Sequence, residues 1–351
     1  MLTSTIHILP LATIVRTRVL PQDGRVLVRP GQKVSPSDVI AETSVSRKHV
    51  VLNIAEELQV QAAKVDAFVK VKRGQKIAKG DLLADAGGLF GRETRSPIDG
   101  RIVALGGGKL VVEISRASIE VRSGLVGTVT ELVGERGAII RASGAIIQGV
   151  WGNGKVDAGV LVSLIEKPAD VLTPAQLDVS LRGSVILAGH VADPNVLKSA
   201  AEMPVRGLIL ASLSPTLLAT ALQMPYPILL LDGFGNRPMN SIAFKLLSTN
   251  IKRDVAINAD IFEKNVGNRP EIFISLPFSQ EPPEPRDVEM FAPGQTVRVL
   301  SLTKPCQIGA ITVLPADPVS LPNGIKTLSA SVRLETGDEI LVALSNLEVL
   351  G

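Results

Sequence analysis

Three stretches carry residue types and spacings that could support chemistry. Gly149-Val150-Trp151-Gly152-Asn153-Gly154-Lys155-Val156 follows the phosphate-loop pattern Gly-x-x-x-x-Gly-Lys until its last place, where Val156 replaces the Ser or Thr that would hold Mg²⁺. A phosphate loop opens a helix, whereas Val156–Leu164 has Gly159 inside an aliphatic, β-branched run and reads as a strand. A tight turn carrying Trp151 is therefore expected there. In the second stretch, Asp232-Gly233-Phe234-Gly235-Asn236-Arg237 follows the apolar run Pro227–Leu231 and so lies at the C-terminal end of a strand, where open α/β sheets bind ligands. Arg237 beside a helix N-terminus would favour an anion, which makes Asp232, Gly233, Gly235 and Arg237 candidate ligand-binding residues. The competing reading is a plain connection with Phe234 tucked into the core. Third, His190 follows Gly189 at the end of Ser184–Ala188, with Asp193 three residues on, and could polarise a ligand in the same cleft. Its competing reading is a turn residue near an N-cap Asp.

The remaining reactive types give little. The three histidines, His7, His49 and His190, have no metal-ligand spacing and no nucleophile-base arrangement. The single Cys306 excludes an intrachain disulfide or a cysteine metal cluster, and with only Lys304 as a basic neighbour it reads as an incidental thiol. No catalytic residue, metal or cofactor is expected.

The elements that must position these residues change along the chain. Within residues 131–278, Ser184–Ala188, Gly207–Ala211, Pro227–Leu231 and Asp254–Asn258 are short apolar runs, as for strands buried on both faces. Between them, Asp193-Pro194, Ser214-Pro215 and Arg237-Pro238 open the helical segments Val196–Met203, Thr216–Leu222 and Met239–Leu247. Strands alternating with helices predict a parallel α/β sheet, preceded by a Gly-rich β-segment, Gly137–Val162.

Residues 1–130 read as short strands punctuated by Gly and Pro, with an internal repeat. Sliding Val28–Ala41 forward by 43 positions onto Val71–Ala84 superposes Gly31 on Gly74, Gln32 on Gln75, Lys33 on Lys76 and Asp38 on Asp81. Between the copies, Ile54, Leu58, Ala62, Val65 and Val69 recur at helical spacing, predicting a short helical insertion at about 54–69. The second copy runs through Gly80-Asp81 and a Gly-rich tip into Ser96-Pro97-Ile98-Asp99-Gly100-Arg101-Ile102-Val103. This resembles the barrel-sandwich hybrid fold of biotinyl and lipoyl domains, which present a Lys at the hairpin tip for covalent attachment. No Lys lies between Gly80 and Pro97, so the resemblance implies the fold used without a carried group, as an assembly or docking module. Leu89 and Phe90, at the tip, are candidate partner contacts. So are Lys72, Arg73, Lys76 and Lys79, which at strand and turn spacing could line one basic face; the competing reading is a charged edge that discourages sheet pairing.

Residues 279–287 contain Glu281-Pro282-Pro283-Glu284-Pro285, read as a stiff linker. Beyond it, residues 288–351 hold five short strand patterns. They resemble a KOW-type, SH3-like barrel in the Gly294-Gln295-Thr296-Val297-Arg298-Val299 opening, the turn around Gly309 and the final Asn346-Leu347-Glu348 edge. KOW domains often contact RNA or ribosomal and polymerase proteins.

Charge argues against the nucleic-acid version. Residues 1–130 carry 19 Lys and Arg against 12 Asp and Glu, 131–278 carry 13 against 13, and 279–351 carry 5 against 9. Phosphate neutralisation needs a basic surface, and the C-terminal barrel is acidic. With no signal-peptide pattern at Met1–Pro10 and no apolar run long enough to span a bilayer, a cytoplasmic setting without a membrane span is expected.

The sequence thus implies a multidomain protein, mainly β with an α/β middle: a barrel-sandwich hybrid, a parallel α/β domain and an SH3-like (KOW-type) barrel. The arrangement as a whole looks like an uncharacterised bacterial family. The expected role is a non-catalytic binding or scaffold protein acting through protein–protein contacts. Two alternatives stand beside it: a nucleic-acid, ribosome or polymerase-associated factor using the basic edge, and binding of, or catalysis on, a small anionic metabolite in the α/β domain.

Overall fold

A computed structural model describes residues 2–87, 92–261, 268–300 and 307–351. Strand accounts for 47% and helix for 14%, so the chain is mainly β. It divides into two compact units: residues 1–19, 28–40 and 122–351 form the first, and 20–27 with 41–121 the second. A boundary near 130 is therefore not where the structure divides the chain, because the segments on either side of that position share the first unit.

The repeat explains this division. In the first unit Gly31 N donates to Val129 O (2.8 Å), Val129 N donates to Gln32 O (2.9 Å), and Asp38 Oδ2 accepts from Ser35 N (2.8 Å). In the second, Gly74 N donates to Ile102 O (2.7 Å), Ile102 N to Gln75 O (2.9 Å), and Asp81 Oδ2 accepts from Ala78 N (2.8 Å). The return segments match as well: Ser123 Oγ donates to Leu125 O (2.7 Å) as Ser96 Oγ does to Ile98 O (2.6 Å). The first halves of the two copies are 43 residues apart (74 − 31), but their return halves are 27 apart in the opposite order (123 − 96). The second module is thus inserted inside the first, and each closes on its own return strand.

Both return strands need a Gly where they cross a neighbour. A Cβ on Gly100 would lie 2.5 Å from Val112 Cγ1 and 2.6 Å from Glu113 O, and one on Gly127 would lie 2.7 Å from Arg141 O and 2.8 Å from Ile140 Cγ2. Gly100→Ala and Gly127→Ala should each destabilise by about 1–3 kcal/mol through overpacking. Urea unfolding checks this, and a change under about 0.5 kcal/mol would show that the strands do not approach so closely.

In the second unit, five strands stand in the order Arg25–Val26, Val39–Asn53, Lys109–Arg122, Gly100–Gly106, Lys76–Ile77, beside the hairpin Leu82–Asp85 with Glu93–Arg95. The helical insertion is shorter than its spacing predicts: an α-turn, Ile54–Leu58, then a 3-10 helix, Ala62–Ala67. Asn53 caps the first, and Gln59, at φ +56°, ends it, because a left-handed residue cannot continue the helix. Ile54, Leu58 and Val65 nonetheless reach the core with Leu83, Ile102 and Val112.

In the first unit, an eleven-stranded sheet contains the α/β element. Val156–Ser163, Ser184–Val191, Gly207–Leu213 and Ile228–Leu230 run parallel in sequence order, connected through the helices Pro194–Glu202 and Leu218–Gln223. Asp254–Asn258 departs from the parallel expectation, pairing antiparallel with Val156–Ser163. The helix Ser241–Ser248 ends in a tight turn in which Lys252 (φ +68°) donates its N–H to Leu161 O (2.9 Å), so the chain re-enters the sheet beside that strand in the opposite sense. Glu271–Ser275 and then Gly137–Gln148 extend the sheet, and Ile8–Val19 pairs along nearly the whole of Gly137–Gln148.

The first unit also contains a seven-stranded sheet in the order Val288–Met290, Leu2–Ile6, Leu347–Leu350, Thr296–Val299, Gln307–Val313, Ser329–Leu334, Glu339–Ala343. The N-terminal strand runs parallel to the last one, Thr5 opposite Val349, so the C-terminal strands do not form a sheet by themselves. Nor is the Pro-rich segment a free spacer. Thr13 donates to Pro282 O through Oγ1 (2.6 Å) and to Pro283 O through its N–H (3.2 Å), while Arg141 pairs with Glu281 (2.8 Å) and Glu284 (3.4 Å).

Candidate functional site

The strands Ser184–Val191, Gly207–Leu213 and Ile228–Leu230 deliver His190, Ser212 and Asp232 to one end of the sheet, in a first unit whose core includes Leu187, Ala211 and Leu231. The Asp232–Asn240 loop is folded onto that end by backbone bonds: Asp232 N to Ala211 O (2.9 Å), Leu213 N to Gly233 O (3.2 Å) and Gly235 N to Leu213 O (3.0 Å). Gly233 and Gly235 sit at φ +93° and +91°, where side chains are strained, which is why this turn carries Gly at both places.

Asp232 is fully buried and its oxygens are occupied. Oδ2 accepts from Asn240 N (2.9 Å), Asn240 Nδ2 lies 3.2 and 3.3 Å from the two oxygens, and Arg298 Nη1 donates to Oδ1 (2.9 Å) and to Leu231 O (3.0 Å). Arg298 in turn holds Glu348 Oε2 through Nε (2.9 Å) and Nη2 (2.6 Å), and Asn240 Oδ1 caps the helix Ser241–Ser248 by accepting from Ala243 N (2.8 Å). Burial pushes the Asp232 carboxyl up, against the pull of Arg298 and Asn240. Because Asn240 and Arg298 both donate to it, it serves them as a structural acceptor.

His190 lies inside its strand, which continues to Val191, and turns to Ser212: Nδ1 is 2.9 Å from Ser212 Oγ. Ser212 Oγ donates to Arg237 O (2.7 Å) and accepts from Arg237 N (3.1 Å). With the hydroxyl hydrogen used on Arg237 O, Nδ1 must be the donor to Ser212. Burial pushes His190 below its ordinary range, which favours the neutral ring. Ser212 has no exposed surface, so the pair pins the loop and does not form a nucleophile with its base. Asp193 accepts from Asn195 N (2.8 Å) as a helix N-cap.

Arg237 is different. Its backbone is fixed by Ser212, yet among the described residues no carboxylate or carbonyl pairs with its half-buried guanidinium. It lines a cleft of about 340 Å³ with Val150, Asp232, Gly233, Phe234, Arg298, Leu300 and Glu348. Trp151 meets Phe234 edge to face, ring centres 5.6 Å apart and planes at 70°.

No family model matches the chain, and no curated protein matches it.

Of the candidate ligand residues, Asp232, Gly233, Gly235 and Arg237 come together on one loop. His190 is only a support behind it. The sequence did not single out Arg298, Glu348, Ser212 or Asn240. Arg298 alternates with Val297 and Val299, both in the core of the C-terminal strands, so the pattern alone would turn it to water; that face is instead covered by the α/β element. The phosphate-loop-like stretch is a structural tie: Trp151–Gly152 pairs antiparallel with Ile228–Leu230. Asn153 Nδ2 donates to Ala221 O (3.1 Å) and Tyr226 O (2.9 Å), and its Oδ1 accepts from Ile228 N (3.0 Å).

A second buried cluster lies elsewhere in the first unit. Glu271 accepts from Arg16 Nε (2.9 and 3.2 Å) and Arg18 Nη2 (3.0 Å), and Arg18 Nε also donates to Ser123 O (2.9 Å). Burial pushes the Glu271 carboxyl up, but the two guanidinium groups outweigh it and hold it below the usual range.

In the second unit, Lys72, Arg73, Lys76 and Lys79 are all exposed, and Lys76 belongs to the terminal strand of its sheet. Leu89, Phe90 and Cys306 lie outside the described residues. Among the described residues no group of three His, Cys, Asp or Glu is placed to share a metal ion, and no helix is long and apolar enough to cross a membrane.

Proposed function

We propose that the protein is a non-catalytic binding or scaffold protein of the cytoplasm that works through protein–protein contacts. In this reading the repeat-bearing N-terminal part is a barrel-sandwich hybrid without a carried group, and the C-terminal strands are an SH3-like barrel of KOW type. The observation that carries it is the commitment of the polar side chains at the sheet end. Asp232, Asn240 and Ser212, and His190 through Nδ1, spend these hydrogen bonds on the fold, so among the described residues at this end Asp232 is not poised as an acid nor Ser212 as a nucleophile for a substrate. The absence of Lys between Gly80 and Pro97 supports docking over carriage, and an intact mass of the native protein showing lipoyl or biotinyl addition would contradict it. Affinity isolation from native lysate tests the reading: a protein recovered near equimolar amount, with or without nuclease, is the expected result.

The exposure of Lys72, Arg73, Lys76 and Lys79 favours one second reading, contact with nucleic acid through the second unit. It requires salt-dependent retention on RNA or heparin that disappears when the four are replaced by Glu. No retention at low salt would end it.

A further inference from the structure

We infer that the Arg237 cleft is a binding site for a single α-amino acid with an apolar side chain. The inference stands independently of the scaffold reading. Arg237 supplies an unpaired guanidinium, a planar donor suited to bidentate recognition of a carboxylate. Glu348 supplies the opposite charge. Its Oε2 is held by Arg298, while Oε1 remains on a carboxylate that is 27% exposed and lines the same cleft.

Charge balance selects the ligand class. Arg237 and Arg298 offset Asp232 and Glu348, so the ionised lining is neutral in sum. A phosphate dianion would gain Arg237 but meet Glu348, whereas a zwitterion places its carboxylate on the first and its ammonium on the second. Val150, Phe234 and Leu300 give the remaining wall an apolar character for a side chain. At about 340 Å³ the cleft is near the small end of ligand sites, which run from roughly 300 to 1,000 Å³, and it has room for an amino acid. Its place at the end of parallel strands is where such sheets hold ligands, and the pinned loop presents Arg237 with little ordering cost.

Calorimetry with L-leucine, L-methionine and L-phenylalanine on the full chain tests this. At least one should bind, and the corresponding carboxylate without the amine (3-phenylpropionate for phenylalanine) or amine without the carboxylate (phenethylamine) should bind at least tenfold more weakly. Arg237→Ala should weaken amino-acid binding at least tenfold with an unchanged unfolding midpoint, since among the described residues its guanidinium has no partner. Glu348→Gln should weaken the amino acid but not 3-phenylpropionate. No binding by any of the three at 10-fold above a millimolar ligand range, typical of weak small-molecule sites, would overturn the inference. So would unchanged binding in Arg237→Ala, or inorganic phosphate binding as tightly as the amino acids. Because the readout is a small ligand on purified protein, failure here leaves the lysate test of the scaffold reading unaffected, and the reverse.

Discussion

Arg298→Met should destabilise the protein by about 3–5 kcal/mol, the usual consequence of leaving a buried charge without its partner. Arg298 Nη1 neutralises Asp232, whose side chain has no exposed surface, while Nε and Nη2 reach Glu348. Removing the guanidinium takes from Asp232 its Arg298 partner and leaves the neutral donors of Asn240 beside it, in a site where burial already pushes its carboxyl up. Glu348 is partly exposed and can turn to water, so the loss falls mainly on Asp232. A double-mutant cycle separates this from general loss of packing. Adding Asp232→Asn to Arg298→Met removes the orphaned charge and should recover part of the loss, giving a coupling of about 2 kcal/mol or more. Strict additivity in urea unfolding would mean that the ion pair does not join these elements.

Glu271→Gln is expected to have an effect of similar size, about 3–5 kcal/mol. The substitution keeps the shape of the side chain but leaves Arg16 and Arg18, which share Glu271, facing a neutral amide in a buried site. Acid should reveal the same interaction. A carboxyl whose folded pKa lies below its unfolded value of about 4.3 contributes stability that is present above that value and is lost as pH falls through the folded one. Glu271 behaves this way because of its two arginines, and Asp287 does so through its hydrogen bond from His7 (2.9 Å). His190, held below its ordinary value of about 6.5 by burial, adds a loss that begins as pH falls through that unfolded value. Asp232, whose carboxyl burial pushes up, works in the opposite sense and recovers stability as pH falls through its folded value. The test is therefore the difference between the two proteins: Glu271→Gln should remove part of the lower phase, the loss below about pH 4. An equally steep lower phase in the variant would contradict the assignment.

What the sequence disclosed depended on how local the cause was. Ser184–Ala188 and Gly207–Ala211 are buried on both faces, and their unbroken apolar character showed it. Gly31 and Gly74 serve turns with φ of +80° and +88°, so the repeat was visible at a fixed offset. The return halves, Ser123–Thr130 and Ser96–Val103, share only a Ser-x-aliphatic-x-Gly-x-aliphatic pattern, and their order is set by insertion of one module in the other. A single sliding offset therefore could not reveal the nesting. The pairing of Leu2–Ile6 with Leu347–Leu350 joins the two ends of the chain, and no local pattern records a contact at that separation. Arg16, Arg18 and Glu271 look like ordinary surface charges on alternating strands; their burial comes from neighbours far away in sequence. The Asp232–Arg237 loop was legible because its Gly residues and its place after an apolar strand are local. Its partners Arg298 and Glu348, contributed by distant strands, were not.

The most direct test of the proposed role is to isolate the native protein from nuclease-treated lysate side by side with a variant carrying Lys72→Glu, Arg73→Glu, Lys76→Glu and Lys79→Glu. The account expects the same partner protein, near equimolar, on both. Recovery of nucleic acid in place of a protein from untreated lysate, lost with nuclease and in the variant, would contradict it.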